Sequence, residues 1–243
     1  MAIGTYVLVH GAWHGGWCWA KVARLLRDAG HEVYTPTLTG LGERAHLATP
    51  DVDLDTHITD VENLLRYEDL HDVVLVGHSY GGLVVTGVAD RMPERVKQLV
   101  YVDTGPLPDG FSNADFVPPD ERARQEALVD KADGWRLPPP PWDGLASGVD
   151  GVSAETVSRL TQRSVAQPWR TATTPARLTG AWEKLPRLGV LSSFTVEQVQ
   201  GMASAVPVMR HMAGEQWRFV ELPTWHWSML SRPAELADIL ADG

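Results

Sequence analysis

Short unbroken apolar runs alternate along the chain with stretches in which apolar side chains recur every three or four residues. Thr5-Tyr6-Val7-Leu8-Val9-His10 is a run of the first kind and predicts a buried strand. Trp19, Val22, Ala23, Leu25, Leu26 and Ala29 follow at helical spacing. Gly30 ends that helix, because glycine accepts the left-handed conformation past a helix terminus. Glu32 to Thr35 predicts a short second strand, closed by Pro36, and Asp55 or Thr56 is placed to cap a helix carrying Ile58, Val61, Leu64 and Leu65. Val73-Val74-Leu75-Val76 predicts a third strand, Gly82 to Met92 a helix, and Lys97 to Asp103, through Leu99-Val100-Tyr101-Val102, a fourth strand. This alternation implies an α/β fold with a mostly parallel sheet and helices on both faces.

The pattern changes from Gly105 to about Leu188. Prolines are dense, including Pro138-Pro139-Pro140-Pro141, and charged helical stretches such as Asp120 to Lys131 alternate with loops. An insertion over the sheet is expected there. A free linker is the alternative, and Trp135, Trp142, Trp169 and Trp182 argue against it, since disordered chains are poor in aromatics. Gly189-Val190-Leu191 then predicts a short strand, Arg218 to Leu222 a clearer one, and Pro233 sits at the first turn of a final helix, Ala234 to Ala241. No internal repeat is visible. The expected organisation is a core of residues 1–104 and 189–243, with residues 105–188 as a mainly helical cap.

A length of 243 residues suits one core with such an insertion, and 44% apolar with 21% charged residues is ordinary globular composition. A net charge of −10 argues against nucleic acid or an anionic membrane surface as the main partner. Cys18 is the single cysteine, which excludes an internal disulfide and a cysteine-based metal cluster. No apolar stretch approaches the ~20 residues of a membrane span. The chain enters its first strand without a signal-peptide pattern, so a cytoplasmic protein is expected.

The chemistry concentrates in Gly77-His78-Ser79-Tyr80-Gly81-Gly82, between the third predicted strand and its helix. Strand, sharp turn and helix with a serine at the apex is the G-x-S-x-G nucleophile elbow. Close strand–helix approach leaves no room for side chains at Gly77 and Gly81, and the helix N-terminus faces developing negative charge. A glycine-rich structural turn with a buried serine is the plainer alternative. A serine hydroxyl needs a base, and in this arrangement the histidine comes late in the chain. His226, in Pro223-Thr224-Trp225-His226-Trp227-Ser228, follows the last strand, whereas His211 lies in a segment that predicts a helix. His78 points away from its neighbour in the elbow and is expected to be structural. The oxyanion needs two N–H donors, assigned to Tyr80 and to Ala12 in the loop His10-Gly11-Ala12-Trp13-His14-Gly15-Gly16-Trp17. That loop lacks the Lys-Ser/Thr of a phosphate-binding loop. Gly40-Leu41-Gly42-Glu43-Arg44 either lines the pocket, ties down the cap or is a solvated loop.

The His10–Trp19 stretch, Gly30-His31-Glu32-Val33, the elbow and His226 together resemble the α/β-hydrolase superfamily. More narrowly, they resemble the branch of plant methyl-ester hydrolases, the salicylate-binding esterase, hydroxynitrile lyases and related bacterial esterases. The resemblance is strong over residues 5–103 and returns over 217–241. It implies the α/β-hydrolase fold, a cap over the active site, a small-molecule substrate, and neither metal nor organic cofactor. Three positions depart from the branch. Hydroxynitrile lyases carry lysine where this chain has Trp227 and threonine where it has Gly11. Trp225 replaces a glycine. The family's acid, in a Thr-x-Asp type of motif, has no counterpart in Val190-Leu191-Ser192-Ser193-Phe194-Thr195-Val196-Glu197.

Three arrangements of the acid therefore stand open. Asp103 ends the strand beside the nucleophile strand, Glu197 lies near the usual place, or His226 works without an acid. The expectation is a carboxylesterase-type serine hydrolase with Ser79, His226 and Asp103 as catalytic residues and Ala12 and Tyr80 as oxyanion donors. Trp13 and Trp227, with the cap tryptophans, are expected to line a pocket for an apolar or aromatic ester. The rivals are a lyase or cyclase using the same Ser–His pair without an acyl-enzyme, and a non-catalytic ligand-binding member of the fold. A homodimer is left open.

Overall fold

In the computed structural model, which describes residues 3–146 and 148–242, the strands are β1 Thr5–Val9, β2 Glu32–Tyr34, β3 Val73–His78, β4 Val96–Val102, β5 Arg136–Leu137, β6 Gln167–Pro168, β7 Arg187–Leu191 and β8 Trp217–Glu221. Six of them form one sheet in the order β2-β1-β3-β4-β7-β8, with every neighbouring pair parallel. The short β5 and β6 pair antiparallel with each other. The α-helices among the described residues are α1 Ala20–Asp28, α2 Leu54–Tyr67, α3 Gly81–Arg91, α4 Pro119–Ala132, α5 Trp142–Ala146, α6 Ala154–Arg163, α7 Arg170–Thr173, α8 Val196–Ala205, α9 Ser228–Ser231 and α10 Pro233–Ala241. None of them is long and apolar enough to cross a membrane.

Side chains of successive strand residues go to opposite faces. Val7, Val9, Leu75, Leu99 and Tyr101 pack with α2 and α3, and Tyr6, Leu8, Val74, Val76, Val100 and Val102 with α1 and α10. Both faces are covered over the middle of the sheet, which is why β1, β3 and β4 are nearly continuous apolar runs rather than alternating ones. β1 lies between β2 and β3, so the direction of sheet growth reverses there. The loops after β1 and β3 consequently open onto one crevice at the carboxyl edge, where open α/β sheets build their sites.

Two boundaries differ from expectation. Helix α2 is capped by Asp53, not by Asp55 or Thr56. The Asp53 carboxylate accepts the Thr56 N–H at 3.0 Å while the Thr56 hydroxyl turns back to the Asp53 N–H, a reciprocal box that starts the helix at Leu54. Strand β7 begins at Arg187 rather than at the expected Gly189, because Arg187 and Leu188 already pair with Leu99 and Val100. The insertion carries α4 to α7 and the β5–β6 pair. Its tryptophans do not share one environment. Trp142 is buried against Trp13 and Trp227, whereas Trp182 belongs to the core cluster on the α3 face and stacks on the Arg187 guanidinium at 5.2 Å.

The elbow is among the tight places in the fold. A Cβ on Gly77 would stand 2.5 Å from the Gly81 carbonyl oxygen and 2.7 Å from its carbon, both rigid backbone atoms. Gly77→Ala should therefore cost about 1–3 kcal/mol by overpacking, seen as a lower urea midpoint with an unchanged slope. An unchanged midpoint would show that strand and helix can move apart there.

Candidate active site

Ser79 sits at φ 50°, in the left-handed region that β3 and α3 impose between them. Its N–H donates to the Val102 carbonyl at 3.3 Å and its carbonyl accepts from Gly82 at 2.9 Å. Gly81 has no room for a side chain either, since a Cβ would lie 2.7 Å from the carbonyl oxygens of Val9 and His10. No side chain caps the start of α3, so its N-terminal dipole is directed at the serine turn.

His226 follows β8 on the same sheet edge. Its Nδ1 lies 2.6 Å from Asp103 Oδ2, a carboxylate whose side chain is 1% exposed. Asp103 ends β4 at φ 49°. Its Oδ1 accepts the N–H groups of Ser192 and Ser193, both at 2.8 Å, and its Oδ2 accepts the Ser193 hydroxyl at 2.7 Å. Burial pushes this carboxyl group up, but the His226 and Ser193 hydrogen bonds outweigh burial and hold it at about 2. An ionised Asp103 makes Nδ1 the protonated nitrogen of His226 and leaves Nε2 with a free lone pair. The Ser192-Ser193 turn, where the family pattern would put an acid, supplies the donors that hold Asp103 instead. Glu197 is exposed in the first turn of α8. His211 is not part of this group, because its short turn Pro207–Met212 places the ring against Trp182 and 3.5 Å from Glu183.

His78 is buried and holds the loop rather than the serine. Burial, then the neighbouring His226 and His14, keep its pKa well below the usual histidine range, so the ring is neutral. Its Nε2–H donates to the His226 carbonyl at 2.9 Å. His10 does similar work at the start of the β1 loop. Burial lowers it to about 4, and the neutral ring donates from Nδ1 to the Gly11 carbonyl at 2.8 Å while Nε2 accepts the Leu38 N–H at 3.1 Å.

The loop bearing Ala12 lies directly on the elbow, since a Cβ on Gly11 would come within 3.1 Å of Ser79 Cβ. Trp13, at φ 66°, is held by the insertion at three points. Its N–H donates to Gln167 Oε1 at 3.1 Å, its indole N–H donates to the Leu137 carbonyl at 3.2 Å, and its carbonyl accepts the Val165 N–H at 3.0 Å. Gln167 is 3% exposed and passes its own amide donor to the Thr171 hydroxyl at 2.7 Å. Tyr80, whose N–H is the other expected oxyanion donor, is fixed from its far end, where its hydroxyl donates to His57 Nδ1 at 2.9 Å.

One expectation changes with this packing, and one open choice narrows. Trp227 is only 9% exposed and contacts Trp142, Trp225 and His226 edge to face or tilted, so it fills core volume behind the histidine instead of lining a pocket. The Gly40–Arg44 stretch is not a solvated loop. Arg44 donates to the Thr37 carbonyl and the Thr39 hydroxyl and pairs with Asp60, and Gly42 packs on Gly15 of the β1 loop. A feature without a sequence signal is a cavity of about 310 Å3 beside Asp103. Leu83, Leu107, Phe194, Met202 and Met209 supply its apolar wall, and Leu83 is in the first turn of α3 after Ser79.

The model of the alpha/beta hydrolase family matches residues 6–239. The chain belongs to this family. Within it, the chain is 38% identical to the carbendazim hydrolyzing esterase of Nocardioides sp. (strain SG-4G), over 98% of this chain and 99% of that one. It is 28% identical to the pyrethroid hydrolase of Sphingobium wenxiniae, over 100% of this chain and 88% of the relative. An extracellular alpha/beta-hydrolase from a Paenibacillus species, described as structurally and functionally homologous to tobacco salicylic acid binding protein 2, shares the fold with a TM-score of 0.82. Its identity is 24%, with 98% of each chain covered.

The depressed Asp103 pKa carries a stability consequence. A carboxylate lowered from 3.8 to about 2 on folding stabilises the native state by about 2 kcal/mol, in full above about pH 4. The contribution is lost as pH falls toward 2. Urea midpoints across that range should converge for the wild type and Asp103→Asn. A constant gap between the two would show that the hydrogen bonds do not favour the ionised form.

Proposed function

We propose that this alpha/beta hydrolase is a serine esterase that cleaves small apolar or aromatic esters through an acyl-enzyme. The observation that carries the proposal is the Asp103–His226 pair on the sheet edge that bears Ser79. With Nδ1–H held by Asp103, His226 Nε2 takes the Ser79 proton as Oγ adds to the ester carbonyl. The Ala12 and Tyr80 N–H groups receive the oxyanion, supported by the dipole of α3. Collapse of the tetrahedral species breaks the C–O bond, and His226 gives its proton to the departing alcohol. Water then gives a proton to Nε2 and attacks the acyl-enzyme. Collapse of the second tetrahedral species returns that proton to Ser79 and releases the acid. Asp103 stabilises the imidazolium throughout without taking its proton.

The segment 105–186 serves as a cap. Its hydrogen bonds to Trp13 support that reading and make Gln167 a positioning residue for the Ala12 donor. The apolar cavity beside Asp103 supports a substrate with a compact apolar group. Relatives named for carbendazim and pyrethroid hydrolysis agree with it. The lyase or cyclase reading drew on the missing acid and on Trp225 and Trp227, and a carboxylate on His226 removes the first of these supports.

p-Nitrophenyl acetate and carbendazim are the first substrates to assay, with a serine-directed phosphonate as covalent probe. Turnover together with labelling confined to Ser79 is expected. Labelling without turnover of any ester would overturn the proposal. Ser79→Ala should lose several orders of magnitude in kcat, and Asp103→Asn about 10²–10⁴-fold by favouring the wrong tautomer. A Ser79→Ala variant retaining a tenth of wild-type activity would exclude the covalent route. Gln167→Leu should lower kcat by roughly tenfold with little change in KM, since a misplaced N–H weakens only transition-state binding. A rise in KM at constant kcat would assign Gln167 to substrate binding instead.

A further inference from the structure

A second cleft, of about 280 Å3, lies between α1 and α6, and Ser79 takes no part in lining it. Trp17, at the end of the Ala12 loop, and Leu230 give it apolar surface. Lys21 and Arg24 enter from α1, three residues apart and so on one helix face. Arg159 enters from α6 three residues after Thr156, and one turn further on the Arg163 guanidinium stands 5.9 Å from the Trp17 ring.

Two cationic helix faces thus meet across one small cleft in a chain of net charge −10. Among the described residues, none of Lys21, Arg24, Arg159 and Arg163 forms a salt bridge, whereas Arg91, Arg95, Arg122, Arg170 and Arg232 all do. Arg66, Arg177, Arg210 and Arg218 form no salt bridge either among the described residues; what marks Lys21, Arg24, Arg159 and Arg163 is that they line or flank one cleft. Like charges facing each other across a small gap repel, and an anion placed between them is attracted by both sides. Guanidinium groups favour planar carboxylates, and the indole of Trp17 offers an apolar face to a ring.

We propose that this cleft binds a small aromatic carboxylate, its ring on Trp17 and Leu230 and its carboxylate between Arg24 and Arg159. The site is separate from Ser79. Occupancy ties α1 to α6, and the chain that continues from α6 carries Val165 and Gln167, which hold Trp13.

The test is a calorimetric titration of the wild type with 2-naphthoate at low salt. 2-Naphthalenemethanol serves as the neutral counterpart and inorganic phosphate as the simple anion. One-to-one binding of 2-naphthoate is expected, with the alcohol and phosphate each at least roughly tenfold weaker, the worth of one charge-assisted contact. The double variant Arg24→Ala/Arg159→Ala should weaken 2-naphthoate by roughly tenfold or more. Lys21→Glu, a single exposed change, should do so without touching either arginine. Circular dichroism confirms that each variant is folded. Equal affinity in wild type and both variants would place any binding elsewhere and overturn the proposal. Phosphate binding as tightly as 2-naphthoate, or no binding of 2-naphthoate at millimolar concentration, would overturn it equally. Binding is read without turnover, so the result does not depend on whether the chain hydrolyses esters.

Discussion

The Asp103 carboxylate ties together the ends of three strands, β4, β7 and β8, that lie side by side in the sheet. Its own N–H donates to the Val190 carbonyl at 2.8 Å, its two oxygens take donors from the turn after β7, and Oδ2 also meets the imidazole that follows β8. A buried carboxylate survives only if its lone pairs are satisfied, and here every partner is a donor. The geometry of His226 is therefore set by the same bonds that close the sheet edge. Loss of the charge would loosen the edge and the imidazole together, and so stability and site geometry share one group.

A second constraint runs through the insertion. The β1 loop must hold Trp13 in the left-handed region, which a bulky residue adopts only when its surroundings dictate it. Three hydrogen bonds from the insertion do so, and the chain continues through Gln167 to Thr171. On the core side, Tyr80 reaches His57, whose Nε2–H donates to the Thr39 carbonyl at 2.8 Å. Trp13, next to Ala12, and Tyr80, next to Ser79, are thus anchored in different layers, one by the segment between β4 and β7 and one by the core.

The sheet and the serine turn were legible in the sequence because each follows from local rules. Strands buried on both faces must be apolar throughout, and an elbow packed as tightly as Gly77 against Gly81 admits only glycine. Position along the strand was enough to bring Asp103 into consideration, but not to separate it from Glu197 or from no acid at all. That choice depends on a φ of 49° and on two backbone N–H groups from a distant turn, and neither leaves a mark in residue type. Gln167 was invisible for a related reason, since it lies in a proline-rich stretch without periodicity and matters only through one long-range contact. Trp227 shows the opposite error. An aromatic residue beside a histidine looks like a pocket wall, yet large rings are as often spent on filling volume, as this one is against Trp142.

The turn after β7 has an unusual freedom. Two of the three hydrogen bonds it gives to Asp103 come from backbone N–H groups, which any residue except proline can supply. The same turn runs straight into Phe194, a wall of the apolar cavity. A lineage can therefore rewrite the side chains of this turn, and with them the shape of the cavity, while the Asp103 carboxylate stays in place on another strand. Where the acid itself sits on that turn, each such change puts the chemistry at risk. Moving the charge to the end of β4 separates the part of the molecule that must stay constant from the part that is free to drift.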